Sequence, residues 1–215
     1  MINNVTFNDI TLQIEGVREG EYLTTKNATG KYYEQNLLEH IMRLNIEGSY
    51  LDIGSNFGNH SVFFTNYCKC TKLYAVEANK PIYDILMRNL IVNSKCPFEC
   101  FNVGVYNKES TFEIDFINED NLGSTSFKEA LNGKIKCHTI DQLFLNKENI
   151  ALIKIDVEGL EIEVLEGAIE TIKKHKPVLV VEVQKQNSDK FFNMLPEYKS
   201  IGIYGGHSTH IMVLK

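Results

Sequence analysis

Two rhythms of hydrophobic and polar positions divide the chain near residue 50. Ahead of it, Val5, Phe7, Ile10, Leu12 and Ile14 roughly alternate with polar residues around Asn8-Asp9, which predicts a short hairpin. Residues 16–30 are polar and punctuated by glycine, the composition of a loop. Tyr33, Leu37, Leu38, Ile41, Met42 and Leu44 then recur at helical spacing within residues 31–46. From Tyr50 onward short apolar runs take over: YLDI, KLYAVE, FECFNVGV, ALIKIDV and PVLVVEV. Such runs read as parallel strands buried on both faces. Helices are expected at about 58–68, 82–93, 139–146 and 160–174. Strands alternating with helices at this spacing predict an α/β fold with a doubly wound sheet. Residues 110–136 break the pattern: TFEIDF alternates like a strand, and NEDNLGSTSF reads as a polar loop. The end, SIGIYGGHSTHIMVLK, reads as an antiparallel hairpin around Gly205-Gly206. There is no repeat, low-complexity tract or linker. The expectation is one domain over 1–215, with 1–48 as a hairpin-and-helix cover and 49–215 as the core.

Composition changes this picture little. The chain has 215 residues, 43% hydrophobic and 23% charged, enough for a full core without disulfide or metal staples. A net charge of −6 advertises no basic surface, so a nucleic-acid partner is not expected. Cys68, Cys70, Cys96, Cys100 and Cys137 are odd in number and form no paired CxxC pattern, as for reduced thiols in a cytosolic protein. The first residues lack the cationic and apolar regions of a secretory signal. No window approaches the roughly 18 apolar residues of a membrane span. A cytoplasmic protein with no membrane partner is expected.

The candidate chemistry starts at YLDIGSNFGNHSVFF, where a strand ends in an acid and two glycines precede a helix. In open α/β sheets ligands sit beyond the carboxyl ends of the strands. A triphosphate loop needs glycine and lysine where Asn59 and His60 stand. A dinucleotide fingerprint needs GxGxxG, whereas Ser55 to Phe57 separate these glycines, and Asp52 would repel a pyrophosphate. A nucleoside donor with an amino group, a sulfonium and no phosphate suits the carboxylate better. That ligand is S-adenosyl-L-methionine; a tight turn that binds nothing is the alternative. LYAVEANKP places Glu77 about 20 residues after the glycine turn, where one carboxylate can take both ribose hydroxyls. An exposed surface glutamate is the plainer reading there. ALIKIDVEGLEIEVLEGA sends Asp156 and Glu158 toward the same crevice as Asp52, and Glu161 suits a first helical turn. Glu182 ends an all-apolar strand, where a carboxylate is costly unless paired or solvated.

DIGSNFG, AVEANKP, KIDVEGLEIEVLEGA and the VVEV strand resemble the FkbM family of S-adenosylmethionine-dependent methyltransferases, in order and spacing, from about Tyr50 to Glu182. The KIDVEG block is the specific part; the glycine turn alone fits many methyltransferase families. Alanine is common in the family where Ser55 stands. The resemblance implies a Rossmann-like class I methyltransferase with a seven-stranded sheet and an antiparallel final hairpin. It implies O-methylation of a hydroxyl on a sugar, glycan precursor or other small molecule, as in polysaccharide or natural-product biosynthesis. Carried over by position, Asp52, Gly54, Ser55, Asn56 and Gly58 surround the methionine part of the cofactor. Glu77 binds the ribose, Ala78 and Asn79 lie beside the adenine, and Asn102, Val103 and Gly104 face it from the other side. His60 and Ser61 reach the cofactor's carboxylate, with plain helix surface the alternative for His60. Tyr32 and Glu34 would cover the cofactor.

Methyl transfer needs alignment of acceptor oxygen, methyl and sulfur, and removal of one proton. Asp156, also beside the cofactor, is the first candidate for general base or acceptor positioning, followed by Glu158 and Glu182. No metal site is expected, although clustered acids leave a divalent cation as an alternative. Acceptor contacts are sought in Ser124, Thr125 and Ser126 of the polar loop, and in His138 and His207. His210 is a further candidate, with surface histidines the plainer reading, and Thr139 reads as a helix cap. Amine or phosphate-type acceptors, a non-catalytic cofactor-binding module and an NAD(P)-dependent oxidoreductase remain alternatives. An exposed acceptor cleft, completed by a second subunit in a homodimer, is anticipated.

Overall fold

The computed structural model describes residues 1–118, 122, 125–205 and 208–215. The chain opens with a hairpin of β1 (Ile2–Phe7) and β2 (Ile10–Glu15). Asn8 and Asp9 close it with φ of 47° and 62°, and two successive left-handed residues match the twist of the strands they join. Two helices follow, α1 (Tyr22–Ala28) and α2 (Gln35–Arg43). The alternating core then begins with β3 (Gly48–Ile53), α3 (Asn59–Tyr67), β4 (Cys70–Val76), α4 (Lys80–Asn93) and β5 (Phe98–Phe101). Four short strands come next: β6 (Gly104–Val105), β7 (Ser110–Phe116), β8 (Ser126–Glu129) and β9 (Ile135–His138). The core resumes with α5 (Ile140–Phe144), β10 (Ile150–Ile155), α6 (Glu161–Glu166), α7 (Ile169–His175) and β11 (Val178–Glu182). Helix α8 (Ser188–Met194) leads to the final strands β12 (Tyr198–Tyr204) and β13 (Thr209–Leu214).

Seven strands form the main sheet in the order β12-β13-β11-β10-β3-β4-β5. The five from β11 to β5 are parallel, and β13 runs antiparallel to both its neighbours. The chain winds outward from β3 through β4 to β5, then returns to the other side of β3 with β10. That reversal is a topological switch, and it opens a crevice at the carboxyl ends of β3 and β10. Successive side chains along each strand alternate between the two faces of the sheet. Tyr50, Leu73, Ala75, Leu152 and Val180 pack toward α3, α4 and the N-terminal hairpin. Leu51, Ile53, Tyr74, Val76, Ile153, Ile155, Leu179 and Val181 pack toward α5 to α8. Both faces are covered, so the strands read as near-continuous apolar runs.

Four sequence expectations need correction. Residues 16–30 are not all loop: α1 forms there without an apolar stripe, its N-terminus capped by Glu21, whose carboxylate accepts from the N–H groups of Leu23 (3.2 Å) and Thr24 (2.8 Å). The run FECFNVGV is two strands, β5 in the main sheet and β6 in a second one, parted at Asn102-Val103. That second sheet has the order β6-β9-β7-β8 and takes in the end of the expected polar loop. Residues 160–174 are two helices, α6 and α7, because a Cβ at Gly167 would stand 2.4 Å from the Tyr106 carbonyl oxygen. Thr139 does cap α5, in a reciprocal capping box with Gln142. Among the described residues no helix is long and apolar enough to cross a membrane.

Candidate active site

Gly54 turns the chain out of β3 with a φ of +76°, and a Cβ there would stand 1.8 Å from the carbonyl oxygen of Asp156. The ends of β3 and β10 close on each other only because this position is bare. Gly54→Ala is therefore expected to cost at least about 2–3 kcal/mol, read as a lowered midpoint in thermal unfolding. Ser55 stitches the ends of β3 and β4: its Oγ donates to the Asp52 carbonyl (2.6 Å) and accepts from the Val76 N–H (3.2 Å). Asn56, left-handed at φ 50°, donates its N–H to Glu77 Oε2 at 2.9 Å. The other oxygen of Glu77 accepts from the Asn79 N–H at 2.7 Å. Burial nevertheless pushes the Glu77 carboxyl up to about 7. Asn102 donates from Nδ2 to the carbonyls of Glu77 (2.8 Å) and Ala78 (3.1 Å), bracing the loop after β4.

Beneath this corner lies an ion pair that the sequence reading missed. Lys154 faces Asp52 directly across the β10–β3 register. Its ammonium lies 3.3 Å from Asp52 Oδ1 and 3.2 Å from Asp156 Oδ2, and donates to the Gly54 carbonyl at 3.2 Å. The Asp52 contact is one of charge alone, for Asp52 Oδ1 is buried and accepts no hydrogen bond. The remaining Asp52 oxygen accepts from Ser61 Oγ at 2.6 Å. The legible signal was a lysine inside an otherwise apolar buried strand, which demands a buried counter-charge.

The crevice widens into a cavity of about 310 Å³. One half is lined by Gly54, Ser55, Asn56, Glu77, Ala78, Asn79, Val103 and Gly104, and the second sheet closes it with Phe112, Phe127, Ile135 and Cys137. The other half lies between Tyr22, Tyr33, Glu34, Asn59 and His60 on one side and Asp156, Glu158 and Glu182 on the other. Asp52, Gly58, Ser61 and Asn102 do not line the cavity; the first three are buried behind its wall, and Asn102 is exposed and braces the loop after β4 from outside. Tyr32 packs edge-on to Phe63 and Tyr67, away from the cavity. Thr125 lines it, whereas Ser126 and His138 do not. His210 packs between Phe191 and Phe192, outside the cavity lining. Ser124 and His207 lie outside the described residues.

The second half is acidic. Burial, and then the charges of Asp156 and Glu161, push the Glu158 carboxyl up to about 7. Burial and Asp156 likewise push Glu34 up to about 7. Glu182 rises to about 8, through burial, the Asp156 charge and a hydrogen bond to Asp156. Burial alone would raise Asp156 too, but the Lys154 ammonium and the proton shared from Glu182 hold it below the ordinary range. Near neutral pH the pair thus shares one proton. Among the described residues, no three His, Cys, Asp or Glu side chains are grouped to hold a metal ion.

Residues 52–202 match the model of the Methyltransferase FkbM domain. The chain belongs to the FkbM methyltransferase family. Solved structures share its fold at low identity. The FkbM methyltransferase of Methylobacillus flagellatus KT is 16% identical with a TM-score of 0.54, over 77% of this chain and 43% of that one. The tRNA (uracil-54, C5)-methyltransferase of Pyrococcus abyssi, solved with S-adenosyl-L-homocysteine, is 13% identical with a TM-score of 0.53, over 98% and 43%. The ribosomal protein L11 methylase of Lactobacillus delbrueckii subsp. bulgaricus is 8% identical with a TM-score of 0.52, over 83% and 76%. The chain thus spans less than half the length of the first two. No curated protein matches it.

The walls suit the donor of an FkbM methyltransferase. Among the described residues Lys154 is the only lysine or arginine lining the cavity, and its charge is already paired with Asp52 and Asp156, so a pyrophosphate would meet carboxylates and no unpaired cation. A phosphate-free, cationic nucleoside meets the opposite situation. Glu77, with lone pairs left beyond its two backbone partners, stands at the end of the strand next to the glycine turn, where hydroxyls of a ribose can be accepted.

Proposed function

We propose that this chain is an S-adenosylmethionine-dependent methyltransferase that acts on a hydroxyl of a sugar, glycan precursor or other small molecule. The observation that carries the reading is the acid-lined half of the cavity, where Glu34, Asp156, Glu158 and Glu182 converge beside two tyrosines. Carboxyls with pKa values of about 7 and 8 are matched to taking a hydroxyl proton near neutral pH. The same negative rim repels polyanions, which disfavours nucleic acid and phosphate-type acceptors. It also attracts amines, and methyl transfer to an amine is the second reading.

When bound, S-adenosylmethionine supplies an electrophilic methyl group on a sulfonium. Glu77 takes the ribose hydroxyls, and the Ala78, Asn79, Val103 and Gly104 backbones with the apolar wall of the second sheet enclose the base. Gly54 and Asn56 allow close backbone approach to the methionine part. Glu182 and Glu158 serve as the proton-accepting pair, in place of Asp156, whose charge is stabilised by Lys154 and is correspondingly less basic. Asp156 tunes and orients Glu182. Glu77→Gln keeps one oxygen acceptor and loses the charge, so it is expected to weaken S-adenosylhomocysteine binding by about 10-fold or more, read by titration calorimetry. The function itself is tested by tritiated methyl transfer to a panel of sugars and polyols, amines and RNA. Label on a hydroxyl of a small acceptor is expected; label confined to RNA or to an amine nitrogen overturns the reading.

A further inference from the structure

Glu34 stands at the N-cap of α2 and caps nothing. Its backbone is left-handed, at φ 53°, and its side chain makes no bond to the free N–H groups of the helix. The carboxylate instead turns into the cavity, with Oε2 3.5 Å from His60 Nε2. On its far side it meets the C-terminal hairpin, where a Cβ at Gly205 would come within 2.8 Å of Glu34 Oε1. His60 is only 6% exposed, lines the cavity and stacks nearly parallel to Tyr33, at 8°. Burial and the nearby Lys154 push its pKa down to about 4, and the ring bonds to the Tyr33 backbone. A neutral imidazole has one N–H, so that bond leaves Nε2 as a lone-pair acceptor. Nε2 is buried and has no hydrogen-bond partner.

This corner therefore presents a half-buried carboxylate beside a buried ring nitrogen that has no hydrogen-bond partner. The one neighbouring cation, Lys154, already serves Asp52, Asp156 and the Gly54 carbonyl. Buried acceptors left without donors are costly. A group with several N–H bonds and a positive charge satisfies both at once, and it offsets the burial that raises the Glu34 carboxyl. We propose that Glu34 and His60 bind the α-ammonium of the methyl donor's amino-acid part, an inference that rests on the cavity being the donor site.

Calorimetry with two ligands tests this. S-adenosylhomocysteine has the amino-acid part, and 5′-methylthioadenosine lacks it. Glu34→Gln is expected to weaken S-adenosylhomocysteine about 10- to 100-fold while leaving 5′-methylthioadenosine within about twofold. His60→Phe should shift the same ligand in the same direction by a smaller factor. Unchanged affinity for S-adenosylhomocysteine in Glu34→Gln overturns the proposal, and so does a parallel loss of both ligands, which marks a structural role. If the unaltered protein binds neither ligand, the donor assignment falls and takes this inference with it.

Discussion

Lys154→Met is expected to lower the unfolding free energy by about 3–5 kcal/mol, the largest stability loss among the substitutions considered. The reason is the charge it leaves behind. Asp52 is fully buried, and without Lys154 it keeps a single hydroxyl donor, Ser61. Asp156 loses the cation that holds its pKa down. Methionine fills much of the same volume, so packing is not the main cost. Adding Asp52→Asn to Lys154→Met should recover part of the loss, because the stranded charge is gone. Urea unfolding of the two single variants and the double variant at pH 7 closes the cycle. The pH dependence has a definite sign. In the unaltered protein Asp156 titrates below its unfolded value, so its contribution is present above that value and fades as pH falls through the folded one. In Lys154→Met, Asp156 keeps its burial and loses the cation, so its pKa moves above the unfolded value and that variant loses stability as pH rises from about 4. The gap between the two proteins should therefore narrow toward acid. A loss below about 1 kcal/mol at pH 7, the scale of an exposed pair, would contradict a desolvated pair.

Which of these features the sequence announced follows from how local their causes are. The glycine corner, Glu77 and the apolar strands are legible because each rests on contiguous residues: buried parallel strands must be apolar on both faces, and a strand-to-helix turn with positive φ at Gly54 and Gly58 favours glycine. Lys154 was in plain view, yet its meaning depends on the register that sets it opposite Asp52, which strands more than a hundred residues apart must establish. The second sheet escaped for a different reason. The alternation of TFEIDF announced β7, but β6, β8 and β9 are only two to four residues long, too short for a hydrophobic period to mark them. Helix α1 is held by the Glu21 cap and by Thr24 and Asn27 buried beneath it, polar anchors that a search for apolar period overlooks. Glu34 was read from the sequence as a cover for the cofactor, but its place beside His60 depends on α3 and on the C-terminal hairpin beyond it.

Glu182→Gln is expected to lower kcat about 100- to 10,000-fold at pH 8, the largest effect on turnover. The carboxyl must be ionised to accept a proton. With its pKa raised to about 8, it is mostly protonated at pH 6.5, and the fraction able to act rises through pH 8. The unaltered enzyme should therefore show kcat/KM climbing with pH and levelling above about 9, close to one pH unit past the titration. Glutamine has no such titration, so the residual rate of the variant should lose that limb and retain at most a shallower rise near 7 from Glu158. S-adenosylhomocysteine affinity measured on the same preparation should stay within about twofold, since a proton acceptor for the second substrate contributes little to holding the donor. Retention of the full climb in Glu182→Gln would move the base elsewhere. Glu158→Gln then decides between its two neighbours, because Asp156, paired with Lys154 and held below the usual carboxylate range, is ionised throughout and cannot generate a limb at that pH.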